Sequence, residues 1–526
     1  MKRRDILKAT LAGGAALAAP RIVRAERQRV LKFIPQADLA SLDPIWTTAD
    51  VTRNHGFMVF DTLYGVDNAY QPDLQMAAGH AVSGDGRQWD ITLRDGLKFH
   101  DNTPVLARDC VASLNRWGRR DAFGSVLMAA TDELSAPSDK VIRFRLKTPF
   151  PLLPAALATI TNMPCIMPER LAKTDPFQQV TEMVGSGPFR FVASERVPGS
   201  RVVYERFAGY VPRPDGPAEY TAGPKPVNFD RVEWTVSPDP ATNAAALSAG
   251  EFDWWENPTI DLVPSLKQNQ DLVTVVKDHT GEIGCLRFNE LFPPFDNPAI
   301  RRVVVSAVNQ RDYMDAVAGS DPSLILDKVG LFVPGSPMAS AVGIETMQGA
   351  SDPARLRQAL QAAGYKGERV VVLAASNFPT INAIAQVGGE MLKRIGFNVD
   401  YQSLDWGTVV QRRASRNPVD QGGWNVFFTF LGGIGNVTPA SDIALRSDGK
   451  GWFGWPTDPR MEELRLAWFR APDLAAQRKL CAEMQAEFFQ NPSYAPLGMY
   501  FQPTAFRSTL TGVPEGIPQF YRVRRV

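Results

Sequence analysis

The sequence predicts a mixed α/β protein of at least two lobes. Three observations carry this expectation: the length, a first third written in short strands and turns, and a stretch after residue 351 in which strands alternate with helices. The chain has 526 residues, whereas single hydrophobic cores stop growing at roughly 250–300 residues. Its 44% hydrophobic and 10% aromatic content is that of a globular protein, which excludes disorder for most of the chain.

Between Arg27 and Arg201 the segments RVLKFIP, QWDITLRDGLKFHD and KVIRFRLKTPF read as strands. Trp89, Ile91 and Leu93, then Leu97 and Phe99, alternate with polar residues on either side of Asp95-Gly96, which predicts a β-hairpin. Residues 209–230, GYVPRPDGPAEYTAGPKPVNFD, form a Pro/Gly-rich loop, either a surface excursion or a lip over a cleft.

From residue 351 the pattern changes. SDPARLRQALQAAGY opens with a cap at Asp352, sets Pro353 at the first helical position and stops at Gly364. RVVVLAAS is then a strand, PTINAIAQVGGEMLKRIG a helix ending at Gly396, NVDYQSLD a strand, GTVVQRRASR a helix and WNVFFTFL a strand. Three strands alternating with two helices imply a parallel sheet with right-handed crossovers. The last strand opens WNVFFTFLGGIGNVTPAS, residues 424–441 up to Ser441, which holds no charged residue. An apolar run of this kind reads as a buried strand. Its glycine-rich tail lies past the strand's carboxyl end, where ligands bind in open α/β sheets.

The amino terminus, residues 1–25, reads as a signal peptide: a basic start, an apolar stretch from Ala9 to Ala19, and small residues at Val23 and Ala25 before Glu26. Arg3 and Arg4 with Ile6, Leu7 and Lys8 resemble the twin-arginine export signal, although Lys2 and Ile6 depart from its usual residues; the alternative is an ordinary Sec signal. Both place the mature chain in the periplasm, and no later stretch reads as a membrane span. Removing residues 1–25 leaves 51 basic against 55 acidic residues, a net charge of −4. That balance carries no footprint for nucleic acid or anionic lipid.

Cys110, Cys165, Cys285 and Cys481 are expected as buried free thiols rather than two disulfides, since three lie in helix or strand patterns far apart. His55, His80, His100 and His279 are not spaced for metal ligation and are expected at the surface or in turns, His100 hydrogen-bonding backbone in its FHDN turn. No metal site or cofactor is expected. GSGPF, Gly185 to Phe189, fails as a phosphate loop because Pro188 lacks an amide donor and no Lys-Ser/Thr follows. No G-x-S-x-G, S-x-x-K or H-E-x-x-H motif occurs, and Glu462 and Glu463 lie on the solvated face of a helix whose other face carries Met461, Leu464 and Trp468. An exported hydrolase is the weaker reading, because a triad need not show in sequence spacing.

The segments Leu42 to Pro44 (LDP), VFDTLYGVDNAYQPDLQMAAGHAVSGDGRQWDITLRDGLKFHDNTPVLARDCVASLNR, GSGPFRF, FDRVEW with ATNAAALSAGEFD, FNELFPPFDNPAIRRVVVSAVNQRDYM, DPARLRQALQAAGY, Asp405-Trp406, GWPTDPRMEELRLAW and APLGMY follow one another nearly end to end. In that order they resemble the family 5 extracellular solute-binding proteins of ABC importers, a class that includes dipeptide-, oligopeptide- and nickel-binding proteins.

The resemblance implies a two-lobed periplasmic binding protein fold with an extra N-terminal domain and lobes joined by crossing strands. It divides the chain into residues 26–63, 183–278 and 496–526 for lobe I, 64–182 for the additional domain and 279–495 for lobe II. It also implies capture of a peptide-like or other small organic solute between the lobes and delivery to an ABC permease in the membrane, by a monomer and without bond chemistry. A nickel or haem carrier is disfavoured by the few histidines.

In peptide-binding members an aspartate shortly after the last strand, about four residues before a proline, pairs with the peptide's α-ammonium group. Counting back from Pro439 lands on Gly435, and no acidic residue occurs between Asp420 and Asp442. The resemblance further points to Trp406 as the pocket tryptophan and to Trp46, Thr47 and Thr48 after LDP as ligand-facing. Phe430 on the strand completes the candidate site, and one of Trp254 and Trp255 is a further candidate. These residues together predict an uncharged, aromatic-lined pocket for an apolar, aromatic or neutral polar solute, unless Asp50 or Asp405 substitutes for the missing charge.

Overall fold

The computed structural model describes residues 29–526 except 320 and 351, so the signal peptide expected at residues 1–25 lies outside the described residues. Two large sheets organise the molecule. The first has seven strands in the order Leu272–Val276, Pro503–Arg507, Trp254–Trp255, Val30–Ile34, Arg231–Thr235, Arg201–Arg206 and Phe189–Phe191. Val30–Ile34 runs parallel to both its neighbours, and its Phe33 packs against Trp254 at 5.1 Å and Phe520 at 4.9 Å between ring centres.

The second sheet has six strands: Ile325–Leu326, Tyr494–Tyr500, Glu282–Phe288, Val426–Gly432, Arg369–Ala375 and Asn398–Leu404. Arg369–Ala375 is parallel to both Asn398–Leu404 and Val426–Gly432, as the alternating pattern predicts. The helix Pro353–Ala362 starts where the sequence placed it, with the Asp352 carboxylate accepting from the Arg355 amide at 3.0 Å. The helix Pro379–Arg394 lies against the strand Val426–Gly432. At Gly388 a Cβ would collide with the buried Phe428 ring, so the glycine inside this helix allows the helix to approach the apolar strand.

The two sheets are joined by a paired crossing. Leu272–Val276 and Pro503–Arg507 are antiparallel neighbours in the first sheet, with Val276 opposite Pro503. Their continuations Glu282–Phe288 and Tyr494–Tyr500 are antiparallel neighbours in the second, with Glu282 opposite Tyr500. A two-stranded ribbon therefore passes from one lobe to the other.

A third, four-stranded sheet of Ala77–Val82, Gln88–Leu93, Val141–Leu146 and Thr131–Ser138 stands apart from these two, within the residues 64–182 expected as an additional domain. Here the expected hairpin is corrected. Gln88–Leu93 pairs with Ala77–Val82 on one edge and Val141–Leu146 on the other, so no edge is left for residues 97–99. Gly96 makes its turn at φ +78, and Lys98 instead bridges Pro104.

Two buried ion pairs tie this domain's surroundings together. Arg116 on the helix Ala107–Trp117 reaches Asp43 at 2.6 Å, and Lys225 in the 209–230 loop reaches Asp61 at 2.7 Å. That loop is thus no simple surface excursion: Lys225 is fully buried. The four cysteines are free and buried, as expected.

Among the histidines, His100 bonds the Gly187 carbonyl at 3.0 Å. His55 differs from expectation: it is a core residue of the helix Asp50–Val59, bonded to the Tyr204 hydroxyl at 2.8 Å, and burial with nearby Arg196 pushes its pKa down to about 3.

Because Asp43 and Arg116 are essentially excluded from water, removing one partner leaves a buried charge without its counterpart. Arg116→Ala is expected to lower stability by about 3–5 kcal/mol, read as a shift of the urea unfolding midpoint.

Candidate functional site

Beside the crossing ribbon the two lobes enclose a cavity of about 580 Å³, inside the range of roughly 300–1,000 Å³ usual for small-ligand sites. The lobe II wall is aromatic. Trp406 opens the helix Trp406–Arg412, its amide donating to Asn377 Oδ1 at 2.7 Å, and its ring meets Phe378 edge-on at 5.9 Å. The Arg413 guanidinium lies 5.2 Å from the same ring. Phe430, on the strand Val426–Gly432, meets Tyr500 edge-on at 5.0 Å. The two aromatic pairs supply apolar surface to this wall, with the Arg413 guanidinium beside the Trp406 ring.

The lobe I wall and the ribbon are acidic. Asp50, Asp261 and Glu282 line the cavity, and no lysine, arginine or histidine is among its lining residues. Asp50 sits in the first turn of the helix Asp50–Val59, where the helix dipole favours an anion, and is paired to Arg53 at 2.7 Å. Asp261 is exposed.

Glu282 is mostly buried at the start of the strand Glu282–Phe288, and its carboxylate makes no hydrogen bond or ion pair among the described residues. Burial, then the charges of Asp50 and Asp278, push its pKa up to about 8. A smaller hollow of about 80 Å³ adjoins the cavity and shares Asp50 and Glu282 with it. At its wall Glu256 accepts from the Gln36 amide at 2.7 Å and from Asn54 at 2.9 Å, and burial pushes its pKa up to about 7.

The structure thus brings together Trp406 and Phe430, with Asp50 opposite. It does not bring the other expected residues to this cavity. Trp46 is covered by the Arg120 guanidinium 4.9 Å from its ring, Thr47 Oγ1 accepts from the Ala49 amide at 3.2 Å ahead of the helix, and Thr48 is exposed. None of the three lines the cavity.

Gly435 lies in the turn Gly433–Asn436, where a Cβ would meet Ser441 and, at 4.0 Å, Thr161 of the additional domain. Trp254 and Trp255 do point to opposite sides of their strand, but both are buried, Trp254 against Phe33 and Trp255 in a second core with Leu247 and Leu266. Trp254 contributes only to the wall of the smaller hollow.

The expectation of an uncharged pocket is corrected. The charge is absent after the strand, yet three carboxylates reach the cavity from elsewhere in the chain. Asp405 does not supply one, because its carboxylate caps its own helix by accepting from Thr408 N at 3.0 Å. Glu282, Asp261 and Tyr500 were missed. The signal for Glu282 was its position, a lone charge opening the otherwise apolar run EIGCLRF apart from Arg287. Among the described residues no group of three His, Cys, Asp or Glu side chains is placed to hold a metal ion.

A family model for the middle part of the bacterial extracellular solute-binding proteins, family 5, matches residues 71–452. The chain belongs to that family. A probable peptide ABC transporter periplasmic-binding protein of Sinorhizobium fredii is 35% identical over 532 residues, covering 100% of this chain and 99% of the relative. A glutathione-binding protein of Pectobacterium atrosepticum is 26% identical over 77% of this chain and 74% of its own length.

The fold is shared with solved family structures. The periplasmic binding protein DppA of Helicobacter pylori with a bound peptide has a TM-score of 0.78 at 20% identity, covering 96% of this chain and 99% of that one. A dipeptide-binding protein of Pseudoalteromonas with Met-Leu has a TM-score of 0.77 at 20% identity, covering 95% and 100%. The two-lobed fold with its crossing strands is therefore the family's, and this solute-binding protein carries its cavity at the crossing.

A raised carboxyl pKa has a definite sign for stability. Glu282 is protonated in the folded state up to about pH 8, so the folded state holds the extra proton and loses stability as pH rises from the ordinary glutamate range, near 4.3, toward 8. Glu282→Gln is expected to gain stability relative to wild type progressively from pH 5 to pH 8, in denaturant midpoints measured on the ligand-free protein.

Proposed function

We propose that this protein is the periplasmic solute receptor of an ABC importer, that it captures a peptide-like organic solute between its lobes, and that it hands the loaded form to the membrane permease. The observation that carries this reading is the inter-lobe cavity, about 580 Å³, with aromatic side chains on one wall and, at the ribbon, the Glu282 carboxyl group, which has no partner among the described residues. A peptide bears both parts that such a site complements: apolar side chains and a protonated amine. The full-length relative from Sinorhizobium fredii, named as a peptide-binding transport protein, supports the same reading.

The ligand-contacting residues proposed are Trp406 and Phe430, joined by Tyr500, Asp50 and Glu282. Trp46, Thr47, Thr48 and Gly435 are not proposed as part of this cavity. We further propose binding without bond chemistry, as a monomer that takes no nucleic acid. The cavity's ionisable side chains, Tyr500 apart, are carboxylates, with no histidine, lysine or cysteine beside them to complete a nucleophile and base. The net charge of −4 after removal of residues 1–25 supports the exclusion of nucleic acid. The twin-arginine-like amino terminus supports export to the periplasm.

The experiment is native mass spectrometry of the protein purified from its own periplasm, followed by denaturation and identification of what is released. A retained peptide is the expected result; a retained neutral, non-peptide molecule would overturn the peptide reading. For the solute so identified, Trp406→Ala is expected to weaken binding by at least about 1 kcal/mol in calorimetry, because it removes an aromatic wall of the site. Unchanged affinity would take Trp406 out of the site.

A further inference from the structure

The charge pattern of the cavity is one-sided. Three carboxylates line it and no basic side chain does. The two cations that border the adjoining hollow are already matched, Arg53 by Asp50 at 2.7 Å and Lys277 by Glu515 at 2.6 Å. A ligand carboxylate entering the cavity would meet no basic side chain among the lining residues. A ligand ammonium would meet Glu282, which has no protein partner for its carboxylate. An ionised, mostly buried carboxylate without a partner is unfavourable, so Glu282 holds its proton in the ligand-free protein, and an ammonium delivered by the ligand lets it ionise with a partner.

The three carboxylates come from the helix Asp50–Val59, the turn Ile260–Leu262 and the strand Glu282–Phe288, and they are not gathered for chelation. That dispersal suits an organic cation rather than a metal ion. Phe430 and Tyr500 stand in the same cavity, where aromatic faces add attraction for a cationic group.

Resting on the site proposed above, we infer that the protein selects solutes with a protonated amine and no obligatory carboxylate, and that Glu282 on the crossing ribbon holds the ammonium with Asp50 beside it. Amine recognition therefore sits at the hinge, away from Gly435. A peptide is bound through its amino end, and its carboxyl end is read by no charge.

The test uses the full-length mature protein and calorimetry with four probes: Ala-Phe amide, Ala-Phe as the free acid, N-acetyl-Ala-Phe amide and phenethylamine. The amide is expected to bind at least as tightly as the free acid, and N-acetylation to weaken binding by tenfold or more. Glu282→Gln is expected to weaken the amide by tenfold or more, and Asp50→Asn by several-fold, with melting curves confirming folded variants. Equal binding of the acetylated and free-amine peptides overturns the inference while leaving peptide binding intact. So does a Glu282→Gln variant that is folded and binds the amide as wild type does.

If no peptide binds, the peptide reading fails. Phenethylamine then decides the inference alone: binding that Glu282→Gln abolishes supports amine selection, and no binding overturns it. The acetylation contrast needs only wild-type protein, so a variant that does not fold does not remove the test.

Discussion

The rest of the structure depends on the continuity of two strand pairs. Val276 opposite Pro503 and Glu282 opposite Tyr500 belong to different sheets, yet they lie along the same two chain segments. Backbone hydrogen bonding across both pairs fixes where the lobes can hinge, because neither segment can shift register without disturbing a sheet on each side. The cavity lies beside this ribbon for the same reason: Glu282 and Tyr500, the end pair of one sheet, and Gln502, in the stretch between the two pairings, are where the two lobes meet.

This geometry also accounts for the exposed tension of the site. A glutamate at the first residue of a strand facing the inter-lobe cavity is a poor choice for stability, because burial disfavours its charged form and raises its pKa. Functional sites are where such local conflicts persist. Carboxylates elsewhere in the chain show the alternative arrangement. Asp405 and Asp352 cap helices, and Asp43 and Asp61 are matched by Arg116 and Lys225. Glu282 differs from them in having nothing of the protein's own to hold.

The α/β half of lobe II was legible from residue types because its signals are local. Asp352 and Pro353 start a helix, Gly364 and Gly396 take positive φ after helices, and the apolar run at Val426 is a strand covered by the helix Pro379–Arg394. The four-stranded sheet was not, since the Asp95-Gly96 turn signal carries no information about strands 77–82 and 141–146 already occupying both edges. The site divided in the same way. Trp406 and Phe430 stand in segments that face the cavity, whereas its charge comes from residues 50, 261 and 282, which no count along one strand relates to one another. Trp46 follows the expected motif in sequence but is turned onto Arg120.

The crossing has a further consequence for the making of the protein. Tyr494–Tyr500 lies between two strands of the six-stranded sheet, and Pro503–Arg507 lies between two strands of the seven-stranded one. A single short stretch thus inserts into both sheets, and it is synthesised after every other strand of either. A chain emerging from the ribosome carries two unfinished sheets with open apolar edges until that stretch appears, and the two lobes are completed almost together.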